Sequence, residues 1–96
     1  MTDTGKEYTA VVTVVGRDKP GIISAVTGVL ANCNVNIINI SQTIIQDIFQ
    51  MIMLIDSSQA TVSFRDLGDD LTEKGREISC QIILQQRDVF TAMHRI

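Results

Sequence analysis

The stretch from Val11 to Ile23, V-V-T-V-V-G-R-D-K-P-G-I-I, holds the residues whose types and spacing can do chemistry. An apolar strand runs into the charged turn Arg17-Asp18-Lys19, and Pro20 and Gly21 lead into a helix. The pattern predicts Pro20 at the first helical position, where its missing N–H would have no partner anyway. The first backbone N–H groups of a helix lack intrahelical acceptors and carry partial positive charge. Such a start can receive an anion such as a carboxylate. The following stretch adds a second signal. From Pro20 to Gln46 there is no Asp, Glu, Lys or Arg. A helix and a strand that face water on one side do not read this way.

These residues need a scaffold, and 96 residues suffice for one domain. A core of this size is small, so dimerisation is plausible on size alone. The formal net charge of -3, with basic residues scattered singly, argues against nucleic acid. No window reaches the roughly 20 apolar residues of a membrane span. Residues 1–7 lack the apolar centre of a signal peptide and read as a disordered leader before one domain over residues 8–96. Cys33 and Cys80 form no C-x-x-C pair, so they read as reduced thiols in a cytoplasmic protein.

Tyr8 to Val15 is β-branched and apolar on both alternations, the pattern of a strand covered on both faces. A first helix is predicted from Pro20 to Cys33, with Ile22, Ile23, Val26, Val29, Leu30 and Cys33 as its core stripe. Asn34 suits its stop. Strands are predicted at Val35–Ile45 and Ile48–Asp56, with Gln46-Asp47 as a tight hairpin of unpromising turn sequence. A second helix is predicted from Thr61 to Arg76. Ser63-x-x-Asp66 has capping-box form, Phe64, Leu67 and Leu71 face inward, and Gly75 ends the helix. A fourth strand follows at Ile78–Gln86. Asp88 then caps a short turn, Val89 to His94, that buries Val89, Phe90 and Met93. The order β-α-β-β-α-β is the α+β, ferredoxin-like arrangement: a four-stranded antiparallel sheet with both helices on one face.

Outside its core stripe the first helix carries Ser24, Ala25, Thr27, Gly28, Ala31 and Asn32, all small and uncharged. Glycine inside a helix costs on the order of 1 kcal/mol against alanine, so Gly28 suggests close approach by a partner. In the next strand Asn36, Asn39, Ser41, Gln42 and Thr43 supply neutral hydrogen-bonding groups among isoleucines, and an edge of this kind invites pairing with another chain. Ser24, Thr27, Gly28, Ala31, Asn39 and Ser41 are the expected homodimer interface.

The run Val14 to Ile22, followed by Asn34-Val35-Asn36-Ile37, resembles the signature of ACT domains, ferredoxin-like modules that bind amino acids and related small metabolites. More narrowly, Ile40-Ser41-Gln42-Thr43 and Val89 to Met93 resemble small free-standing ACT proteins related to the glycine cleavage repressor. The resemblance covers Tyr8 to Ile96. It implies a ligand at a subunit interface, touching Asp18, Pro20, Gly21 and Ile22 at the turn and Asn36 and Ile37 on the next strand. The N–H groups of Gly21 and Ile22 would hold an α-carboxylate, and oxygens of Asp18 or Asn36 an α-ammonium. Each residue also has a structural reading: Asp18 as a helix cap, Asn36 satisfying a strand end, Gly21 serving helix–strand packing. Gly16 stands where some ligand-binding ACT domains carry a polar side chain.

No enzyme motif stands out. His94 is the sole histidine, and no G-x-S-x-G, P-loop or G-x-G-x-x-G occurs. Acylphosphatases share this fold but need a longer glycine-bearing loop, and copper carriers need C-x-x-C at this turn. The expected protein is therefore not an enzyme and needs no cofactor or metal. It would be a regulatory module modulating an unknown protein client, with a ligand-free dimerisation module as the alternative.

Overall fold

The computed structural model describes residues 8–93. The expected leader, residues 1–7, and the expected place of His94 lie outside them, as does the side chain of Met93. Within them run β1 (Thr9–Arg17), α1 (Ile22–Asn32), β2 (Asn36–Ile45), β3 (Ile48–Asp56), α2 (Phe64–Ile78), β4 (Cys80–Gln86) and α3 (Arg87–Met93). The four strands form an antiparallel sheet in the order β2-β3-β1-β4. This is the ferredoxin-like α+β fold that the element order predicts.

β1 sits inside the sheet because its residues are apolar on both alternations. Val12 and Val14 are buried on one face, with Met51, Met53, Ile55 and Ile82 from neighbouring strands. Ile22, Val26 and Leu30 of α1 and Leu67 and Leu71 of α2 close the same cluster from above. Val11, on the opposite face, is also buried. β1 enters and β4 leaves at the same end of the sheet, away from the β1–α1 turn, and Tyr8 and Gln86 line one cavity there.

Each helix ends for a local reason. At the end of α1, Asn34 takes the left-handed conformation with φ 59°. The N–H of Val35 then bonds to the Leu30 carbonyl at 2.9 Å and that of Asn34 to the Ala31 carbonyl at 3.1 Å, a complete Schellman motif. Ser63 caps α2 by accepting from the Asp66 N–H at 3.1 Å.

Several boundaries differ from the sequence expectation. Gly75 does not end α2, which runs on to Ile78 and stops at left-handed Ser79, φ 58°. Glycine stands at 75 for a different reason: a Cβ there would meet the Cys80 carbonyl oxygen at 2.6 Å. Ile78 is therefore the last helical residue rather than the first of β4. Phe64 is 37% exposed and Val89 49%, so neither is a core residue. Phe64 is the first residue of α2, ahead of the turns that face the sheet, and α3 is a seven-residue helix beginning at Arg87 rather than a turn capped by Asp88. The hairpin is as short as expected, since Ile45 pairs with Ile48. Its turn is accommodated by Gln46 at φ 58°.

Cys33 and Cys80 are free thiols. Cys33 lies in the core cluster, and its Sγ donates to Asp70 Oδ2 at 3.7 Å. Burial, and then the charge and hydrogen bond of Asp70, push this thiol above its ordinary value of 9.0. The fold therefore favours the neutral thiol. Its contribution is fully present below the unfolded value and is lost as pH rises past it.

Two outcomes follow for folding. Gly75→Ala, which would stabilise an open helix, should instead lower unfolding free energy by about 1–3 kcal/mol in urea titrations, because backbone of β4 must move. Between about pH 8 and about pH 10 the wild type should lose more stability than Cys33→Ala, measured by the same titrations.

Candidate functional site at the start of the first helix

β1 ends at Arg17, and the chain crosses Asp18, Lys19 and Pro20 before α1 begins. Gly21 is the N-cap, with φ 91° and ψ -2°. A residue with a Cβ is disfavoured there, which accounts for glycine at this position. A left-handed residue cannot be helical, so α1 starts after it. Pro20 consequently lies in the turn and not at the first helical position.

No side chain caps α1, so Asp18 does not cap it. Instead the Asp18 N–H donates to the Asp47 carbonyl at 2.8 Å, which ties the turn to the β2–β3 hairpin. An exposed pair between Arg17 and Asp47 at 3.7 Å joins the same two segments and adds little energy. Sequence reasoning missed Asp47; its signal was only the closeness of two loops at one end of the sheet. The Ala25 N–H reaches the Gly21 carbonyl at 2.9 Å, so the N–H groups of Ile22, Ile23 and Ser24 precede the first bond of the helix. A Cβ placed on Gly21 would meet nothing within 4 Å, so this start is open to the outside. Asp18, Lys19, Pro20 and Gly21 are exposed. Ile22 is 2% exposed, so only its backbone is available to a ligand.

Asn36 and Ile37 stand at the other end of α1. The helix has 11 residues, a length of about 16 Å. One small molecule cannot touch both groups within one chain. Asn36 and Ile37 are instead brought together with Ser24, Thr27, Gly28 and Ala31, along an open groove of about 520 Å³ between α1 and β2. The groove has no charged lining residue. The Thr27 hydroxyl is engaged internally, donating to the Ile23 carbonyl at 2.8 Å. Gly28 is exposed, and a Cβ on it would meet nothing within 4 Å, so packing inside the chain does not require glycine there.

Asn39 and Ser41 lie elsewhere. They line a hollow of about 230 Å³ with Ile52 and Leu54, on the sheet face away from α1 and α2. The cause is a bulge. The register of β2 on β3 shifts between Ile37 and Asn39. The extra residue reverses the alternation, so Ile37 faces the core and Asn39 the opposite side. Among the described residues no group of three His, Cys, Asp or Glu is placed to hold a metal ion. No described helix is long and apolar enough to cross a membrane.

The sequence model of one family, described as ACT domain, matches residues 8–85. A UPF0237 protein of Methanopyrus kandleri is 48% identical over 87 residues, 91% of this chain and 97% of that one. The chain belongs to the ACT domain family. A UPF0237 protein of Methanocaldococcus jannaschii is 48% identical over 86 residues, 90% of this chain and 96% of its own length. Among solved structures, an ACT domain protein from Streptococcus pneumoniae has a TM-score of 0.75 at 34% identity, covering 90% of this ACT chain and 97% of its own. The regulatory subunit of aspartate kinase from Thermus thermophilus shares the fold, with a TM-score of 0.66 at 22% identity over 83% of this chain and 52% of that one. ACT domains are typically regulatory, ligand-binding modules, and neither the family nor these relatives indicate an enzyme class.

The left-handed Gly21 gives a direct check on the turn. Gly21→Ala should lower stability by about 1–2 kcal/mol and Gly21→Asn by roughly half of that, since asparagine tolerates this region better. Chemical denaturation of the two variants measures both.

Proposed function

We propose that this chain is a small cytoplasmic regulatory module, in which two copies join through the α1–β2 edge and hold an amino acid or similar small carboxylate between them. The observation that carries this reading is the uncapped, open start of α1 beside an uncharged edge. Free N–H groups of Ile22 to Ser24, with the dipole of the helix behind them, suit a carboxylate. Asp18 or a neighbouring Asn36 would accept from the ammonium group.

The second copy supplies what one chain lacks. β2 is an edge strand whose ten residues contain no charge. Its start holds Asn36 and its end lies at the hairpin tied to the turn. Two β2 edges running antiparallel would bring Asn36 of one chain toward the turn of the other. The small residues Ser24, Thr27, Gly28 and Ala31 would then let the two α1 helices approach closely. The free thiols agree with a reducing compartment. A ligand that favours one arrangement of the pair would change its affinity for a client protein.

A second reading, a ligand-free dimerisation module, is favoured by the openness of the groove, which is shaped more like a docking surface than an enclosed pocket. Thermal-shift titration with the amino acids up to millimolar concentration separates the two. Under the first reading one amino acid should stabilise the fold by about 2–3 kcal/mol at a hundred times its Kd, and Gly21→Val should abolish that. If none shifts the melting temperature, the ligand half of the reading fails and the module reading stands. Gly28→Glu should split the pair under both, read by sedimentation.

A further inference from the structure

A cavity of about 410 Å³ lies at the end of the sheet away from the β1–α1 turn, where β1 begins and β4 ends. Its apolar wall is continuous with the core. Leu67 is fully buried, and Ala60 and Val62 pack against the core cluster. Tyr8 and Phe64 line the same cavity, yet they are 47% and 37% exposed. The chain has one tyrosine, three phenylalanines and no tryptophan, so half of its aromatic rings stand at this one opening without being buried by the fold. The polar lining is Ser57, Ser58 and Gln86, and no lining residue is charged.

The loop between β3 and α2 that forms one side of the cavity is fixed by hydrogen bonds at both flanks. The Tyr8 carbonyl accepts from the Ser57 N–H at 2.9 Å and from the Ser57 hydroxyl at 3.0 Å. The Ser58 N–H donates to Asp56 Oδ1 at 2.8 Å. On the far flank, Asn34 Nδ2 donates to the Gln59 carbonyl at 2.9 Å, and the Thr61 N–H to the Cys33 carbonyl at 2.9 Å. The cavity is therefore pre-formed, and a ligand would not have to order its wall.

We propose that this cavity binds an uncharged planar heterocycle with a hydrogen-bond donor and acceptor side by side, the chemistry of a nucleobase. The proposal does not rest on the site at Gly21, which lies at the other end of β1. Ligand cavities span about 300–1,000 Å³, and this one falls within that range. The rings of Tyr8 and Phe64 offer flat apolar faces to a planar molecule. The Gln86 amide carries a donor and an acceptor in one plane, the complement of such an edge. The Ser57 hydroxyl has donated its proton to the Tyr8 carbonyl and keeps its capacity to accept. An ionic ligand would find no lining charge to match it, which selects a neutral one.

Fluorine NMR on the full chain labelled with 3-fluorotyrosine tests this, because Tyr8 is the sole tyrosine and gives one signal at the cavity. Adenosine, cytidine and thymidine are titrated to millimolar concentration, with indole as a planar molecule that has a donor but no adjacent acceptor. At least one nucleoside should shift the signal saturably and bind more tightly than indole. Phe64→Ala, at an exposed position, should weaken that nucleoside about tenfold, the effect of losing one stacking ring. Gln86→Ala should weaken it by about two- to tenfold and leave indole unchanged. It decides the matter if Phe64→Ala fails to fold. The proposal is overturned if no nucleoside gives a saturable shift, or if both folded variants bind as the wild type does. Indole binding as tightly as the best nucleoside also overturns it, since the cavity would then be an apolar hollow without the assigned chemistry.

Discussion

The rest of the structure depends on β1 being buried on both faces. A strand with Val12 and Val14 under the helices and Val11 covered on the other side can only lie inside the sheet. Its neighbours are then β3 and β4, and β2 is pushed to the edge. The same register sets Gly16 opposite Cys80, whose Sγ would lie 2.6 Å from any Cβ at position 16. The strand thus leaves the sheet beside a thiol, with no room for a larger residue, and turns at once into Asp18. Gly16 therefore has a packing reason, whatever polar side chain other ACT domains carry there.

Much of the fold was legible because its signals are periodic. Of the predicted stripe, Ile22, Val26, Leu30 and Cys33 are core residues, as are Leu67 and Leu71, while Val29 packs against the core and Ile23 is 38% exposed. Element ends were harder. Glycine and proline mark both turns and close contacts, and sequence does not say which. Gly75 looks like a helix stop but is a contact with β4, while the stop is Ser79, a residue with no such signal. Pro20 looks like a helix start but is placed outside the helix by the left-handed Gly21.

The candidate site was legible in residue type and less so in arrangement. The charge-free run from Pro20 to Gln46 marks a continuous edge, and the structure brings Ser24, Thr27, Gly28 and Ala31 into one groove with Asn36 and Ile37. The sequence groups Asn39 and Ser41 with them only as neutral residues of one edge strand. A single inserted residue at the bulge sends both to the opposite face. The uncharged region is consequently two surfaces meeting along β2, one lined by a helix and one by bare sheet.

The entry of β1 and the exit of β4 at one end of the sheet have an architectural consequence. Both connections point away from Gly21, which sits at the far end of β1. A second folded unit could be spliced ahead of β1 without crowding the turn. The aspartate kinase regulatory subunit and the Streptococcus pneumoniae protein illustrate that range, since the matched region fills 52% of one chain and 97% of the other. A layout that keeps the entry of β1 and the turn at Gly21 at opposite poles can be reused in long and short polypeptides alike.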